Sequence, residues 1–189
     1  MSASAQRDLS ARVGPRDRYT AVARFLHWVT AALMAVIIIL GLTLGWGPEL
    51  PEATKMLVYN IHESTGLLVL ILAIIRLGWR QANPPPPLDP SLPAIQRFAA
   101  HANHAGLYVL MIAMPVSGFL ATNAWGFPLT WYGLIPVPSP IGRSEAWAPV
   151  LQAIHNWSAL LIVLFIAVHV TAALHHHLIR RDDTLRRML

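Results

Sequence analysis

The sequence predicts an all-α protein, a four-helix transmembrane bundle with both termini cytoplasmic. Its 189 residues are 55% hydrophobic and only 12% charged, and their mean hydropathy is +0.49. Soluble domains carry about a quarter charged residues. Four apolar stretches are each about 20 residues or longer, the length that a helix needs to cross a bilayer. Basic residues collect on one side of these stretches, which sets the orientation.

The predicted spans cover residues 21–46, 57–77, 104–124 and 154–174. Pro115 lies within the third span, where membrane helices tolerate a kink. The first apolar run is longer than the core of a secretory signal, and no small-residue cleavage site follows it. We therefore expect an uncleaved first span and a single membrane domain over residues 1–189.

The distribution of lysine and arginine predicts the orientation. One side of a four-span arrangement carries only Lys55 and Arg143, next to Glu49, Glu52 and Glu145. Cytoplasmic loops are enriched in basic residues, so the first and third connections are expected outside. The twelve remaining basic residues lie on the opposite side: Arg7, Arg12, Arg16, Arg18, Arg24, Arg76, Arg80, Arg97, Arg180, Arg181, Arg186 and Arg187.

Two connections have distinctive compositions. The second contains a run of prolines from Pro84 to Pro87, followed by Pro90 and Pro93, and predicts a stiff extended spacer. The third, over residues 125–149, is rich in tryptophan, tyrosine and proline. Such aromatic residues favour the membrane interface, so this segment is predicted to be an outer interfacial loop.

The absence of cysteine and the presence of nine histidines limit the chemistry. Without cysteine, the chain forms no disulfides, thiolate metal sites, iron–sulfur clusters or covalent c-type haem linkages. The chain is too apolar to offer the solvated basic face of a nucleic-acid reader, despite its net charge of +5. Any metal or cofactor must depend on imidazole.

Four histidines form two pairs matched in depth. His27 and His169 each lie about two turns from the cytoplasmic ends of the first and fourth spans, whereas His62 and His155 lie near the outer ends of the second and fourth. His155 and His169 are 14 residues apart, so they share a helix face about 21 Å apart along the axis. One helix therefore offers a ligand to each of two stacked groups.

Bis-histidine haem b fits this arrangement, because its iron takes an imidazole on each face of a flat ring that an apolar bundle can bury. Arg24, one turn before His27, is a candidate for a haem propionate, although a basic residue at this position also suits the lipid headgroups. His101 and His104 share a helix face. They are candidates for ligation, for a quinone or proton relay, or for a plain interfacial position.

The sequence resembles the prokaryotic cytochrome b561 family, dihaem membrane proteins related to the b-type subunits of hydrogenases and formate dehydrogenases. The resemblance covers nearly the whole chain from Arg18 onward. It rests on several short segments in the same order and spacing: Arg24-Phe25-Leu26-His27-Trp28, Ile61-His62-Glu63-Ser64-Thr65-Gly66, Ala100-His101-Ala102-Asn103-His104, Met114-Pro115-Val116-Ser117-Gly118, Ile154-His155-Asn156-Trp157 and His169-Val170-Thr171-Ala172.

The resemblance implies two haem b groups, with His27 and His169 as axial ligands of the cytoplasmic-side iron and His62 and His155 as ligands of the outer iron. It also implies a bacterial inner-membrane protein that exchanges electrons with ubiquinone, and superoxide as a possible substrate. One alternative is a membrane-anchoring cytochrome b subunit that binds a larger dehydrogenase or hydrogenase as its redox partner. A second alternative, from another class, is a histidine-based metal-ion transporter.

Overall fold

The computed structural model describes residues 18–89 and 92–189. The predicted basic residues Arg7, Arg12 and Arg16, and Pro90 of the proline-rich connection, lie outside these ranges. Four helices make up most of the described chain: α1 (Ala21–Trp46), α2 (Glu52–Ala82), α3 (Ala94–Trp125) and α4 (Trp147–His175). Each is long and apolar enough to cross a membrane, which confirms the predicted all-α class with four membrane-spanning helices.

Three of the helices are longer than their predicted spans. α1 has the predicted bounds, whereas α2 begins at Glu52 instead of residue 57, and α3 begins at Ala94 instead of residue 104. An apolar window marks only the part of a helix within the hydrocarbon core, about 30 Å thick. The 31 residues of α2 extend about 46 Å at 1.5 Å per residue, so its polar ends continue into the interfaces.

The helices pack in chain order, α1 against α2, α2 against α3, and α3 against α4. Many large apolar side chains point away from the bundle, among them Ile39, Val109 and Leu160, which are 63%, 64% and 59% exposed. In a membrane protein such side chains face lipid. The buried apolar layer in the middle of the bundle consists of Met34, Ile37, Val69, Ala73, Leu110, Met111, Met114 and Ile162.

A small antiparallel hairpin closes one end of the bundle, here called the hairpin end. Strands β1 (Thr130–Trp131) and β2 (Ile135–Pro136) pair with Thr130 opposite Pro136 and Trp131 opposite Ile135. Three residues, Tyr132, Gly133 and Leu134, separate the paired Trp131 and Ile135. The Leu134 N–H donates to the Trp131 oxygen at 3.0 Å, and the two central residues of this β-turn, Tyr132 and Gly133, both have positive φ, as in a type I′ turn.

The hairpin contacts α2 through polar groups. The Trp131 indole donates to the main-chain oxygen of Ser64 at 3.0 Å, and the Tyr132 main-chain N–H donates to Ser64 Oγ at 2.7 Å. The Asn60 amide donates to the Thr130 oxygen at 2.7 Å. The segment predicted as an interfacial loop over 125–149 therefore folds partly onto the bundle, and helical residues of α3 and α4 occupy its two ends.

The opposite end, called the tail end, holds both ends of the described chain. A π-helical turn (His176–Arg180) follows α4, and a 3₁₀ turn (Arg186–Met188) returns across α1. The Trp28 indole donates to the Met188 oxygen at 2.9 Å, and Arg187 donates to the Pro87 oxygen at 2.8 Å. The two ends of the described chain are therefore at the same end of the bundle.

Candidate functional site

The four helices carry polar or small residues at two matched levels, 14 residues apart on every helix. Fourteen residues are almost four helical turns, so both members of each set lie on one face of their helix. The level near the tail end, called the tail-side layer, comprises His27, Arg76, His104 and His169. The level near the hairpin end, called the hairpin-side layer, comprises Gly41, His62, Gly118 and His155.

The structure brings the predicted pair His27 and His169 together in the tail-side layer. Their ring centres are 6.1 Å apart and the ring planes are inclined by 55°. His27 comes from α1 and His169 from α4, and both side chains are half-buried. The two imidazoles face each other across the space between the first and last helices.

The second predicted pair, His62 and His155, meets in the hairpin-side layer. Here the ring centres are 6.2 Å apart, and the planes are almost perpendicular at 79°. An imidazole nitrogen binds a metal at about 2.0–2.1 Å. Two imidazoles on opposite sides of one metal ion therefore have ring centres about 6 Å apart, which agrees with the distances in both layers.

A main-chain hydrogen bond orients the His155 ring. Its Nδ1 lies 2.9 Å from the main-chain oxygen of Met114. A carbonyl oxygen only accepts, so Nδ1 carries the hydrogen and the Nε2 lone pair is available to a metal. Met114 directly precedes Pro115, which lacks the N–H that would donate to the Met111 oxygen in a regular helix. The position at which the sequence predicts a kink therefore lies beside the carbonyl that orients His155.

Two glycines make room for the rings of the hairpin-side pair. A Cβ atom at Gly118 would lie 2.6 Å from His155 Nδ1, and one at Gly41 would lie 3.1 Å from His62 Cε1. Separations below 3.0 Å do not occur without movement. Gly66, in contrast, packs next to Ile37, where an added Cβ would make an ordinary contact at 3.4 Å. Gly41 and Gly118 accommodate histidine rings, whereas Gly66 serves helix packing.

His104 lies beside the tail-side pair, and His101 does not. The His104 and His169 ring centres are 5.3 Å apart, and the His104 side chain is half-buried. His101, one turn earlier on α3, is exposed. Of the two predicted relay candidates, only His104 is placed to act on a group held between His27 and His169.

Arg76 also belongs to the site, whereas from the sequence we expected its charge to contribute to the orientation of the chain in the membrane. Its Nη2 lies 3.2 Å from His27 Nδ1. A guanidinium only donates, so Nδ1 of His27 accepts this hydrogen bond. The sequence held a signal for it, because Arg76 is 14 residues after His62 and interrupts an apolar run that contains no acidic residue.

Arg24, the predicted propionate partner, contacts the C-terminal segment. Its Nη1 donates to the main-chain oxygen of Leu189. Its Nε is buried and has no partner within the described part of the chain, and the same is true of His62 Nδ1. Buried polar atoms of this kind are uncommon in folded proteins.

The donor sets favour a flat two-ligand cofactor over a bare metal ion. Among residues 18–89 and 92–189, no group of three or more His, Asp or Glu side chains is arranged to hold a metal ion. The histidines meet in pairs, at the spacing of two ligands on opposite sides of one ion. The residues present therefore fit haem iron, with two imidazoles to each group.

Fold and site together define a multi-pass helical membrane protein with paired histidines in its interior. Comparison of the sequence with known proteins identifies the family: residues 18–189 match prokaryotic cytochrome b561. The chain belongs to this family. It is therefore a membrane electron-transfer protein of a haem b family.

Three curated relatives match along almost their whole length. Cytochrome b561 homolog 2 of Escherichia coli (strain K12) is 35% identical over 180 residues, which cover 92% of each chain. Cytochrome b561 homolog 1 of the same organism is 31% identical over 173 residues, 92% of this chain and 97% of the relative. A protein of Yersinia pestis named probable superoxide oxidase CybB is 28% identical over 172 residues, 91% of this chain and 96% of the relative.

Proposed function

We propose that the protein binds two haem b groups and transfers electrons between the quinone pool and a donor on the other side of a bacterial inner membrane. His27 and His169 would bind the iron in the tail-side layer, and His62 and His155 the iron in the hairpin-side layer. One observation carries this proposal. Both pairs have ring centres close to 6 Å apart, in layers that are 14 residues apart on each helix.

The haem groups would supply the chemistry, since haem iron takes up and releases single electrons. The protein's part is to present neutral imidazoles in fixed orientations and to exclude water. The Met114 carbonyl fixes the tautomer of His155. The buried apolar layer lies between the two histidine layers. This apolar surrounding would make the reduction potential of each iron sensitive to nearby charged and hydrogen-bonding groups.

The two layers are separated by about 21 Å along the helices at 1.5 Å per residue. This distance covers most of the hydrocarbon thickness of a bilayer, so two haem groups would carry an electron across it in one internal step. We assign the tail end to the cytoplasm. The twelve basic residues on that side, against Lys55 and Arg143 on the other, support this orientation.

We propose ubiquinone as the partner within the membrane. A quinone takes up two electrons and two protons to form the quinol, so two single-electron transfers complete one reduction. The tail-side layer offers a polar surrounding for this chemistry, because His104 lies next to His169.

Anaerobic stopped-flow spectroscopy of the purified protein tests the quinone assignment. Haem reduced with a stoichiometric amount of dithionite should be reoxidised on mixing with a short-chain ubiquinone. The same concentration of a redox-inactive quinone analogue is the control. Haem that remains reduced in the presence of ubiquinone would refute the assignment to the quinone pool.

Superoxide is a second candidate, as the electron donor, because one relative is named a probable superoxide oxidase. The step would convert superoxide to dioxygen and pass one electron to the hairpin-side haem. The hairpin end offers little positive charge to attract a small anion, because Arg143 pairs with Glu145 at 3.2 Å. A flux of superoxide from xanthine oxidase should reduce the haem, and superoxide dismutase should abolish that reduction; a signal that persists with dismutase would exclude superoxide as donor.

A further inference from the structure

We propose that Arg76 and Arg80 of α2 form a carboxylate-binding site for the propionate groups of the tail-side haem. This inference rests on the proposed function, since it requires a haem between His27 and His169. These two arginines would bind the edge of the haem that carries its carboxylates. They would thereby set the orientation of the haem in the tail-side layer. The sequence had instead suggested Arg24 for this role.

The two arginines lie one helical turn apart on α2 and share an aromatic neighbour on α3. The guanidinium carbons of Arg76 and Arg80 lie 5.6 and 6.0 Å from the centre of the Tyr108 ring. The Tyr108 ring contacts both guanidinium groups, and Arg76 also makes a side-chain hydrogen bond with Tyr108. Arg76 also contacts His27. Arg76 is therefore held beside His27, and Arg80 lies one helical turn farther toward the tail end. A guanidinium has five N–H donors, so both arginines retain donors for a ligand.

The surrounding protein supplies these cations with little negative charge. The ion pairs found between described residues involve Arg143 and the cations around Asp182 and Asp183, and neither Arg76 nor Arg80 is among them. The acidic residues nearest in sequence to Arg76 are Glu63 of α2 and Asp89 of the following connection, each 13 residues away. Glu63 lies about 20 Å along the helix. Arginine keeps its charge in proteins, and an intramembrane charge calls for a partner.

The hairpin-side layer has no such charge on α2. Fourteen residues before Arg76 and Arg80 are His62 and Gly66, a histidine of the other pair and a packing glycine. Arg24, the remaining arginine near His27, already donates to the Leu189 oxygen. The arginines of α2 therefore lie at the tail-side level, where Arg24 of α1 is the other arginine near His27.

A propionate would also replace His27 as the acceptor of the Arg76 hydrogen bond. In the structure His27 Nδ1 accepts from Arg76, which leaves the hydrogen on Nε2. A carboxylate is a stronger acceptor for a guanidinium than a neutral imidazole nitrogen is. Transfer of the Arg76 donor to a propionate would allow the hydrogen of His27 to return to Nδ1 and leave the Nε2 lone pair for the iron.

Binding of two forms of haem b measures the interaction without any turnover. The parent for this experiment is the His62→Ala/His155→Ala chain, which keeps only the tail-side pair. Cofactor-free protein is titrated with haem b and with its dimethyl ester, in which both propionates are blocked, and the Soret absorption is followed. Arg76→Gln/Arg80→Gln is compared with Arg186→Gln, which removes a tail-end charge paired with Asp183.

The parent and Arg186→Gln should bind haem b at least about tenfold more tightly than the ester, as charge-assisted hydrogen bonds predict. Arg76→Gln/Arg80→Gln should bind the two forms within about twofold of each other. A preference that survives in this variant, or is missing in the parent, would overturn the inference. If the unmodified chain, with all four histidines, binds no low-spin haem, the proposed function itself fails.

Potentiometry on the full chain provides a second test if the parent does not fold. Loss of two positive charges beside one haem stabilises its oxidised form. In Arg76→Gln/Arg80→Gln, the midpoint potential of one haem should therefore fall, while that of the other and both potentials of Arg186→Gln stay unchanged. Two unchanged potentials in the double variant, or an equal fall in Arg186→Gln, would contradict the proposed site.

Discussion

His155 donates its Nδ1–H to the main-chain oxygen of Met114 across a distance of 2.9 Å. The acceptor is the carbonyl that directly precedes Pro115, so the backbone of α3 orients a ring on α4. Ligating histidines usually donate their second nitrogen to a carbonyl or carboxylate, and this contact fixes ring orientation and tautomer. The backbone of α3 therefore orients His155, one of the two histidines of the hairpin-side pair.

Replacement of Gly118 by alanine should displace this ring. The new Cβ would lie 2.6 Å from His155 Nδ1, so the imidazole must move and its hydrogen bond to Met114 must lengthen. We expect the haem content of the purified protein to fall from two toward one per chain. Gly78→Ala is the matched control, because nothing lies within 4 Å of its added Cβ; equal haem content in the two variants would contradict the role given to Gly118.

His104→Ala should leave both haem groups in place. Although the His104 ring is 5.3 Å from that of His169, the proposed function assigns both axial positions to His27 and His169. The reduced-minus-oxidised spectrum should keep sharp low-spin bands at unchanged haem content. Loss of one low-spin signal would make His104 a ligand instead of a neighbour and would require a new pairing in the tail-side layer.

Ser64→Ala should loosen the hairpin. Ser64 is fully buried, and its Oγ accepts the main-chain N–H of Tyr132 at 2.7 Å. Leaving that N–H without its acceptor costs about 1–3 kcal/mol. We expect a lower thermal transition temperature in detergent and faster amide exchange over residues 130–136. Ser139→Ala, at an exposed position, should change neither property; the same transition temperature in both variants would remove Ser64 from the hairpin's support.

Asp182 is the centre of a polar cluster that follows α4. Its carboxylate lies 2.5 Å from His176 Nδ1 and 3.4 Å from Arg180 Nε. Partial burial alone would raise the pKa of this carboxyl, but hydrogen bonds from Thr184 and His176 outweigh it and lower the pKa below the ordinary value of 3.8. The carboxylate therefore stabilises the docked C-terminal segment fully above pH 3.8, and this contribution is lost as the pH falls through the lower folded value.

Asp182→Asn should increase amide exchange of residues 182–189 at neutral pH. The increase should be about fivefold or less, because a partly exposed ion pair contributes about 1 kcal/mol at most. The protection factors of these amides in the unmodified protein should fall only in acid, below the ordinary carboxyl pKa. Protection factors that already fall between about pH 5 and 7 would contradict this role of the Asp182 carboxylate.

The histidine pairs were predictable because the positions of the histidines agree both with the length of a membrane span and with the repeat of the α-helix. Bilayer thickness fixes the length of each span, and the helix repeat places residues 14 apart on one face. Alternating helix directions then match His27 with His169 and His62 with His155. The structure brings both pairs to about 6 Å between ring centres, and the axial roles stay predictions.

The contacts that support these pairs could not be predicted from composition. In the sequence, Arg76 is a positive charge at the end of a predicted span. Only the packing of α1 against α2 brings it into contact with His27. The hairpin depends on a turn at Tyr132 and Gly133 and on polar groups of α2 that are about 70 residues away in the chain. Hydropathy predicts only an interfacial loop there, because it contains no information about which surface such a loop contacts.

Haem content per chain tests the central claim most directly. A pyridine haemochrome assay on the detergent-purified protein, combined with its measured protein concentration, should give about two haem b per chain, since each histidine pair holds one group. The variants His27→Ala and His155→Ala should each fall to about one, and the double variant to none. A ratio near one in the unmodified protein, or near zero after growth with ample haem, would contradict the assignment of these four histidines to two haem groups.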